Sequence, residues 1–166
     1  MLFRSVAAGG KAVNIATIET CYAFSSMGGI GTTLALSVMM VFLSKSQQLK
    51  AVGKAVIIPS IFNINEPLVF GAPIAFNPYL MVPMWLNSII VPTIAYIVMS
   101  IGIVKIPANT FLLWYIPYPI TSYLTTQDFR AVIVCLLIFV MTWLVFLPFF
   151  KAYDNSLLKK EAQDGQ

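Results

Sequence analysis

The sequence predicts an all-α integral membrane protein, with transmembrane helices joined to two Pro-rich re-entrant or broken-helix elements. Three observations predict it. Of 166 residues, 59% are hydrophobic and 10% charged, whereas a water-soluble domain carries about 25% charged residues. Cutting the chain at its charges leaves four long uncharged runs, 21–44, 67–104, 106–127 and 131–150. Each reaches the roughly 20 residues that a helix needs to cross hydrocarbon. Finally, nine of the 10 prolines fall between Pro59 and Pro119, where they interrupt any continuous span.

The first run carries Gly28-Gly29-Ile30-Gly31-Thr32-Thr33 ahead of a purely apolar stretch, 34–43. Small residues let helices approach one another closely in a membrane, or let backbone approach a ligand. A helix is expected from about Gly31 to the Ser44-Lys45-Ser46-Gln47-Gln48 loop. In the next region Pro59, Pro67, Pro73, Pro78, Pro83 and Pro92 recur every five to nine residues. Proline inside a helix costs about 3 kcal/mol and frees a carbonyl. Irregular backbone at membrane depth survives only where it is buried in protein or lines a wet cavity. Residues 55–83 are therefore expected to form a re-entrant or broken-helix element, and 84–104 the span that follows it.

Residues 106–127 repeat the pattern, with Pro107, Pro117 and Pro119 around Trp114, Tyr115 and Tyr118. A second re-entrant hairpin is expected there. The segment 131–150 reads as an uninterrupted last helix, capped at its start by Thr126 or Asp128 and stopped at Pro148-Phe149-Phe150-Lys151. A polar tail, 151–166, follows it.

Charge agrees with that order. The net charge of +4 comes largely from Lys45, Lys50, Lys54, Lys151, Lys159 and Lys160. These positions are the ones expected of cytoplasmic loops under the positive-inside rule. If both Pro-rich elements return to the side they entered from, two crossings separate the clusters and both lie in the cytoplasm. The charge therefore gives no reason to expect a nucleic-acid partner. Cys21 and Cys135 lie in apolar surroundings and imply no disulfide framework. The chain has no histidine, which excludes histidine-based catalysis within it. It carries no P-loop, nucleophile elbow, metal-ligating cluster or dinucleotide fingerprint, so no cofactor and no metal are expected.

Between Lys54 and Lys105 the only carboxylate is Glu66, in Asn63-Ile64-Asn65-Glu66-Pro67. A charged side chain at the bilayer centre costs at least ~2.5–3.5 kcal/mol. A residue before proline is pushed out of helical geometry, and proline suits the first turn of a new helix. Glu66 is thus expected at a helix break, facing the positive end of the following helix dipole. Asn63, Asn65 and Asn77 add donors and acceptors nearby. A carboxylate with amides and no basic partner suits a neutral polyhydroxyl ligand, and Trp114 offers a stacking face for a sugar ring. The competing reading is that Glu66 caps a helix while the amides satisfy loop backbone. Trp85 and Trp143 read as interfacial anchors or packing residues.

At these residues the chain resembles the membrane subunit, enzyme IIC, of bacterial phosphoenolpyruvate-dependent sugar phosphotransferase systems. The likeness is to the lactose, cellobiose and diacetylchitobiose group. It rests on Phe62-Asn63-Ile64-Asn65-Glu66-Pro67-Leu68-Val69-Phe70-Gly71-Ala72-Pro73-Ile74-Ala75-Phe76-Asn77-Pro78. Supporting stretches are Gly28-Gly29-Ile30-Gly31-Thr32-Thr33-Leu34, Ser44-Lys45-Ser46 and Pro148-Phe149-Phe150-Lys151-Ala152-Tyr153-Asp154. The resemblance runs along essentially the whole chain yet covers less than half of a typical family member. It implies that residues 1–166 form a C-terminal, substrate-binding transmembrane portion without the family's first helices.

The implied function is binding of a β-linked disaccharide and presentation of its 6-hydroxyl to the phosphocysteine of enzyme IIB during uptake. Enzyme IIA is an indirect partner, and family members of full length are homodimers. The implied location is the bacterial cell membrane, multi-pass, with the C-terminus in the cytoplasm. The family glutamate at the sugar site corresponds to Glu66, and Trp114 is the positional match for its sugar-contacting tryptophan. The family histidine that works with the glutamate has no counterpart here. An ion-coupled secondary transporter, or a membrane fragment that folds only beside another polypeptide, are the alternatives the residues leave open.

Overall fold

Residue 15, residues 17–107 and residues 115–164 are described by the structure, a computed structural model. A short turn, Ile18–Thr20, runs into a π-helical turn, Cys21–Ser25. There follow α1 (Leu34–Phe42), α2 (Gln47–Ile61), α3 (Glu66–Gly71), a 3-10 turn (Ile74–Phe76), α4 (Pro78–Ser100), α5 (Tyr118–Thr126) and α6 (Phe129–Asp164). The regular elements among the described residues are all helical, as composition requires.

The glycine-rich stretch 28–33 forms a turn, so α1 begins at Leu34, three residues beyond the expected start. Positive φ angles at Gly28, Gly29, Gly31 and Thr32 are the reason, since a right-handed helix has no place for them. The Thr33 hydroxyl donates to Gly28 O at 2.5 Å and closes the turn. Ser46 caps α2, its Oγ accepting from Leu49 N at 3.3 Å. The helix passes through Pro59 and ends where Phe62 N and Ile64 N both donate to Pro59 O. Asn63 then adopts φ 63°, the left-handed stop that asparagine tolerates better than most residues.

Two expected boundaries move. The helix assigned to 84–104 begins at Pro78 and ends at Ser100. Asn77 caps it, Oδ1 accepting from Tyr79 N at 3.1 Å, and proline is pre-set for the first helical position. Pro83 and Pro92 lie inside this helix; each removes one ladder bond, which membrane helices tolerate where neighbours cover the break. The last helix does not stop at Pro148 but continues to Asp164. Beyond Pro148 the helix is held by buried Leu157 and by bonds from Asp154 and Glu161 to residues 44–48. Asp128 caps the start of α6 as expected, accepting from Arg130 N at 3.0 Å.

Among the described residues, two helices are long and apolar enough to cross a membrane. They are Pro78–Ser100, of mean hydropathy 1.6, and residues Phe129–Gln163 of α6, of mean hydropathy 2.8. Only 22% and 28% of their most apolar windows are buried within the chain, so neither is the hidden core helix of a water-soluble fold. Two buried clusters hold the helices together. In one, Val91 and Ala95 of α4 meet Phe24, Ala131 and Ile138. In the other, Leu80 of α4 meets Leu36, Met40, Leu68 and Phe146. Because α4 and α6 contribute to both, they form the spine of the molecule.

Candidate functional site

The break between α2 and α3 places the asparagine–glutamate segment. Asn65 occupies the position before α3, Glu66 is its first residue and Pro67 its second. The expectation that Glu66 opens a half-helix at a break therefore holds. Glu66 is exposed, with its neighbours Asn63 and Asn65 buried at 8% and 7% exposure.

The amides are committed to backbone. Asn63 Oδ1 accepts from Gly28 N at 3.2 Å, and its Nδ2 donates to Ile116 O at 2.8 Å. One side chain thus ties the α2–α3 break to the glycine turn and to the segment before α5. Asn65 Nδ2 donates to Ile30 O at 2.9 Å. A β-carbon on Gly29 would lie 2.3 Å from Asn65 Cγ, closer than any real contact. Its φ of 92° also disfavours a side chain. The Gly-rich turn is therefore cut to receive Asn65, a role that spacing alone left open between helix packing and ligand approach.

Asn77 stands apart from this knot. It caps α4, its Oδ1 accepting from Tyr79 N. The structure thus brings Asn63, Asn65 and Glu66 together with turn 28–31 and places Asn77 across α3 and the 3-10 turn. Trp114 lies outside the described residues. Trp85 is 60% exposed on α4, as an outward anchor requires, and Trp143 packs on the cluster around Leu80 and Phe146 with its ring 6.0 Å from Phe139.

Sequence reasoning missed two features. Tyr118 is almost fully buried, accepting from Ser26 N and donating to Cys21 O at 3.2 Å. It fastens α5 to the π-helical turn. A cavity of about 420 Å³ lies between that turn and α4, lined by Thr17, Thr20, Cys21, Ser25, Thr93 and Tyr96 among others. It takes no residue from the segment 63–77, so chamber and carboxylate are separate features. No cluster of potential metal ligands occurs among the described residues.

Two membrane-length helices among the described residues, α4 and α6, preceded by a helix break that carries an exposed carboxylate, define the class as a helical membrane protein. Comparison with known proteins fixes the family: residues 4–88 match the family model of the phosphotransferase system EIIC, and the chain belongs to that family. It is 38% identical over 137 residues to the lichenan permease IIC component of Bacillus subtilis (strain 168), covering 82% of this chain and 30% of that protein. It is also 38% identical over 159 residues to the lactose-specific EIICB component of Streptococcus mutans serotype c (strain ATCC 700610 / UA159), covering 94% of this chain and 28% of that one. The crystal structure of the transporter ChbC, the IIC component from the N,N'-diacetylchitobiose-specific phosphotransferase system, superimposes with a TM-score of 0.91 at 34% identity. That match covers 97% of this chain and 38% of ChbC. The chain spans about a third of the length of the relatives it matches.

Proposed function

We propose that this chain is the sugar-binding membrane portion of an EIIC permease component. It takes up a β-linked disaccharide and turns the sugar's 6-hydroxyl toward phosphorylated enzyme IIB, which enzyme IIA recharges. The observation that carries the reading is Glu66, exposed at the first residue of a helix that follows a break, beside a turn locked by two buried asparagines. A carboxylate accepts from sugar hydroxyls without needing a counter-cation, and hydrogen bonds to charged groups contribute about 1.5–3 kcal/mol each. Glu66 is the direct ligand in this reading. Asn63 and Asn65 shape the surface around it, Asn77 approaches the sugar from the start of α4, and Trp114 stacks on the ring.

The same reading gives the residues of 55–83 that precede α4, and residues 106–127, the part of re-entrant or broken-helix elements that bring irregular backbone to the sugar. It sets both lysine clusters and the C-terminus in the cytoplasm, with dimerisation belonging to the full-length permease. The relatives support this class of ligand, since their names specify lichenan, lactose and N,N'-diacetylchitobiose. Equilibrium binding of radiolabelled cellobiose, lactose and diacetylchitobiose to the purified chain tests it. At least one sugar is expected to bind, and Glu66→Gln is expected to weaken that binding ten- to a hundredfold. Undiminished affinity in Glu66→Gln would remove the assignment.

A further inference from the structure

We propose that Asp154 and Glu161, on the tail of α6, are positioning residues that set the far end of α2 and with it the asparagine–glutamate segment. The functional consequence rests on the sugar-site reading above; the mechanical one does not.

The two carboxylates are seven residues apart, two helical turns, and so share one face of α6. Both reach the loop between α1 and α2. Asp154 Oδ1 accepts from Ser44 Oγ at 2.8 Å and Ser46 N at 3.0 Å, while its Oδ2 accepts from Lys45 N at 3.0 Å. Glu161 Oε1 accepts from Ser46 Oγ at 2.6 Å and Gln48 N at 3.1 Å, and its Oε2 accepts from Gln47 N at 3.3 Å. Leu157, between them, is buried in the cluster around Leu80 and Phe146.

The orphan N–H groups of a helix start need acceptors, and negative charge there is favoured by the helix dipole. The sequence places no acidic residue in the first turn of α2. Glu161 supplies that charge from more than a hundred residues away. Its carboxylate therefore fixes where α2 begins, and Asp154 fixes the loop that feeds it.

Displacement at that end travels. α2 is 15 residues long, roughly 20 Å at 1.5 Å per residue, and it is bound to α1 as one body. A β-carbon on Gly53 would stand 2.6 Å from Met40 Cβ and 2.8 Å from Met40 C, so the two backbones touch. Near the other end Ser60 Oγ and Ser37 Oγ lie 2.7 Å apart. The last bonds of α2, from Phe62 N and Ile64 N to Pro59 O and from Asn63 N to Ser60 O, then fix the backbone that aims Asn63 and Glu66.

Hydrogen–deuterium exchange on the purified chain tests the mechanical claim. Asp154→Asn and Glu161→Gln are expected to speed exchange at least tenfold at residues 45–48 and at least threefold at 62–64, with α4 unchanged. Asp154→Glu, which keeps the charge and tests whether the variants simply misfold, is expected to restore slow exchange at 62–64. Faster exchange confined to 45–48 would reduce the pair to a local cap and overturn the proposal, as would no change at either place. Sugar affinity is measured in parallel, and the two carboxylate variants are expected to weaken it at least threefold. If Glu66→Gln binds sugar normally, the site reading fails while the exchange result still decides the positioning.

Discussion

Asn63 combines a left-handed backbone with two side-chain hydrogen bonds, accepting from Gly28 N in a buried bond and donating from Nδ2 to Ile116 O in a part-buried one. Alanine keeps neither advantage. The left-handed conformation costs an ordinary residue roughly 1–2 kcal/mol, and each lost bond that strands a buried partner costs about 1–3 kcal/mol. Asn63→Ala is expected to destabilise the chain by about 2–4 kcal/mol, read as a lower midpoint of thermal unfolding in detergent. Asn63→Gly recovers the backbone share only, so its midpoint should fall between the two. At this scale the sequence was legible for Glu66, because charge and proline are local signals. The use of the amides was not legible, because their partners lie 35 and 53 residues away. Both readings of those amides named backbone or ligand, and the bonds to Gly28, Ile30 and Ile116 go to backbone.

The helices other than α2, which carries Lys50 and Lys54, follow the uncharged runs in order, with α3 and α4 sharing one run, yet their ends follow capping chemistry that hydropathy does not contain. α4 begins at Pro78 because Asn77 caps it, and α6 passes Pro148 because acceptors on its tail are engaged elsewhere. Apolar content alone stopped one helix too early and started the other too late. The pairing of α1 with α2 was also hidden, since one small residue decides it. Gly53 lets α2 lie against the backbone at Met40 and Val41. A branched side chain there has to push main chain, not a flexible tip, and overpacking of this kind costs typically 1–3 kcal/mol or more. Gly53→Val is therefore expected to lower the unfolding midpoint and to break the α1–α2 contact. A double-cysteine crosslink between residues 37 and 60, whose hydroxyls lie 2.7 Å apart in the wild type, should form readily in the parent and poorly in the variant.

Across the whole molecule the two apolar clusters are stacked along α4 and α6, and polar side chains mark the level between them. On α4 the buried stripe runs Leu80, Pro83, Asn87, Val91, Ala95 and Met99, with Leu80 in one cluster and Val91 in the other. Asn87 lies between. On α6 Thr142 lies likewise between Ile138 and Phe146, and its hydroxyl is satisfied by Phe139 O at 2.9 Å. Asn87 is fully buried, and neither its Nδ2 nor its Oδ1 has a hydrogen-bond partner among the described residues. Such a group costs about 1–3 kcal/mol in lost solvation, whereas leucine of similar size gains from the same burial. Asn87→Leu is expected to join the two clusters and to raise stability by about 1–3 kcal/mol, seen as a higher unfolding midpoint in detergent. Asn87→Ala removes the same amide but leaves a cavity, which offsets the gain. A stabilised leucine variant beside an alanine variant near wild type is the signature of an unsatisfied amide. Destabilisation of both would mean that the amide is bonded by water at this level, and that the polar layer holds the clusters together.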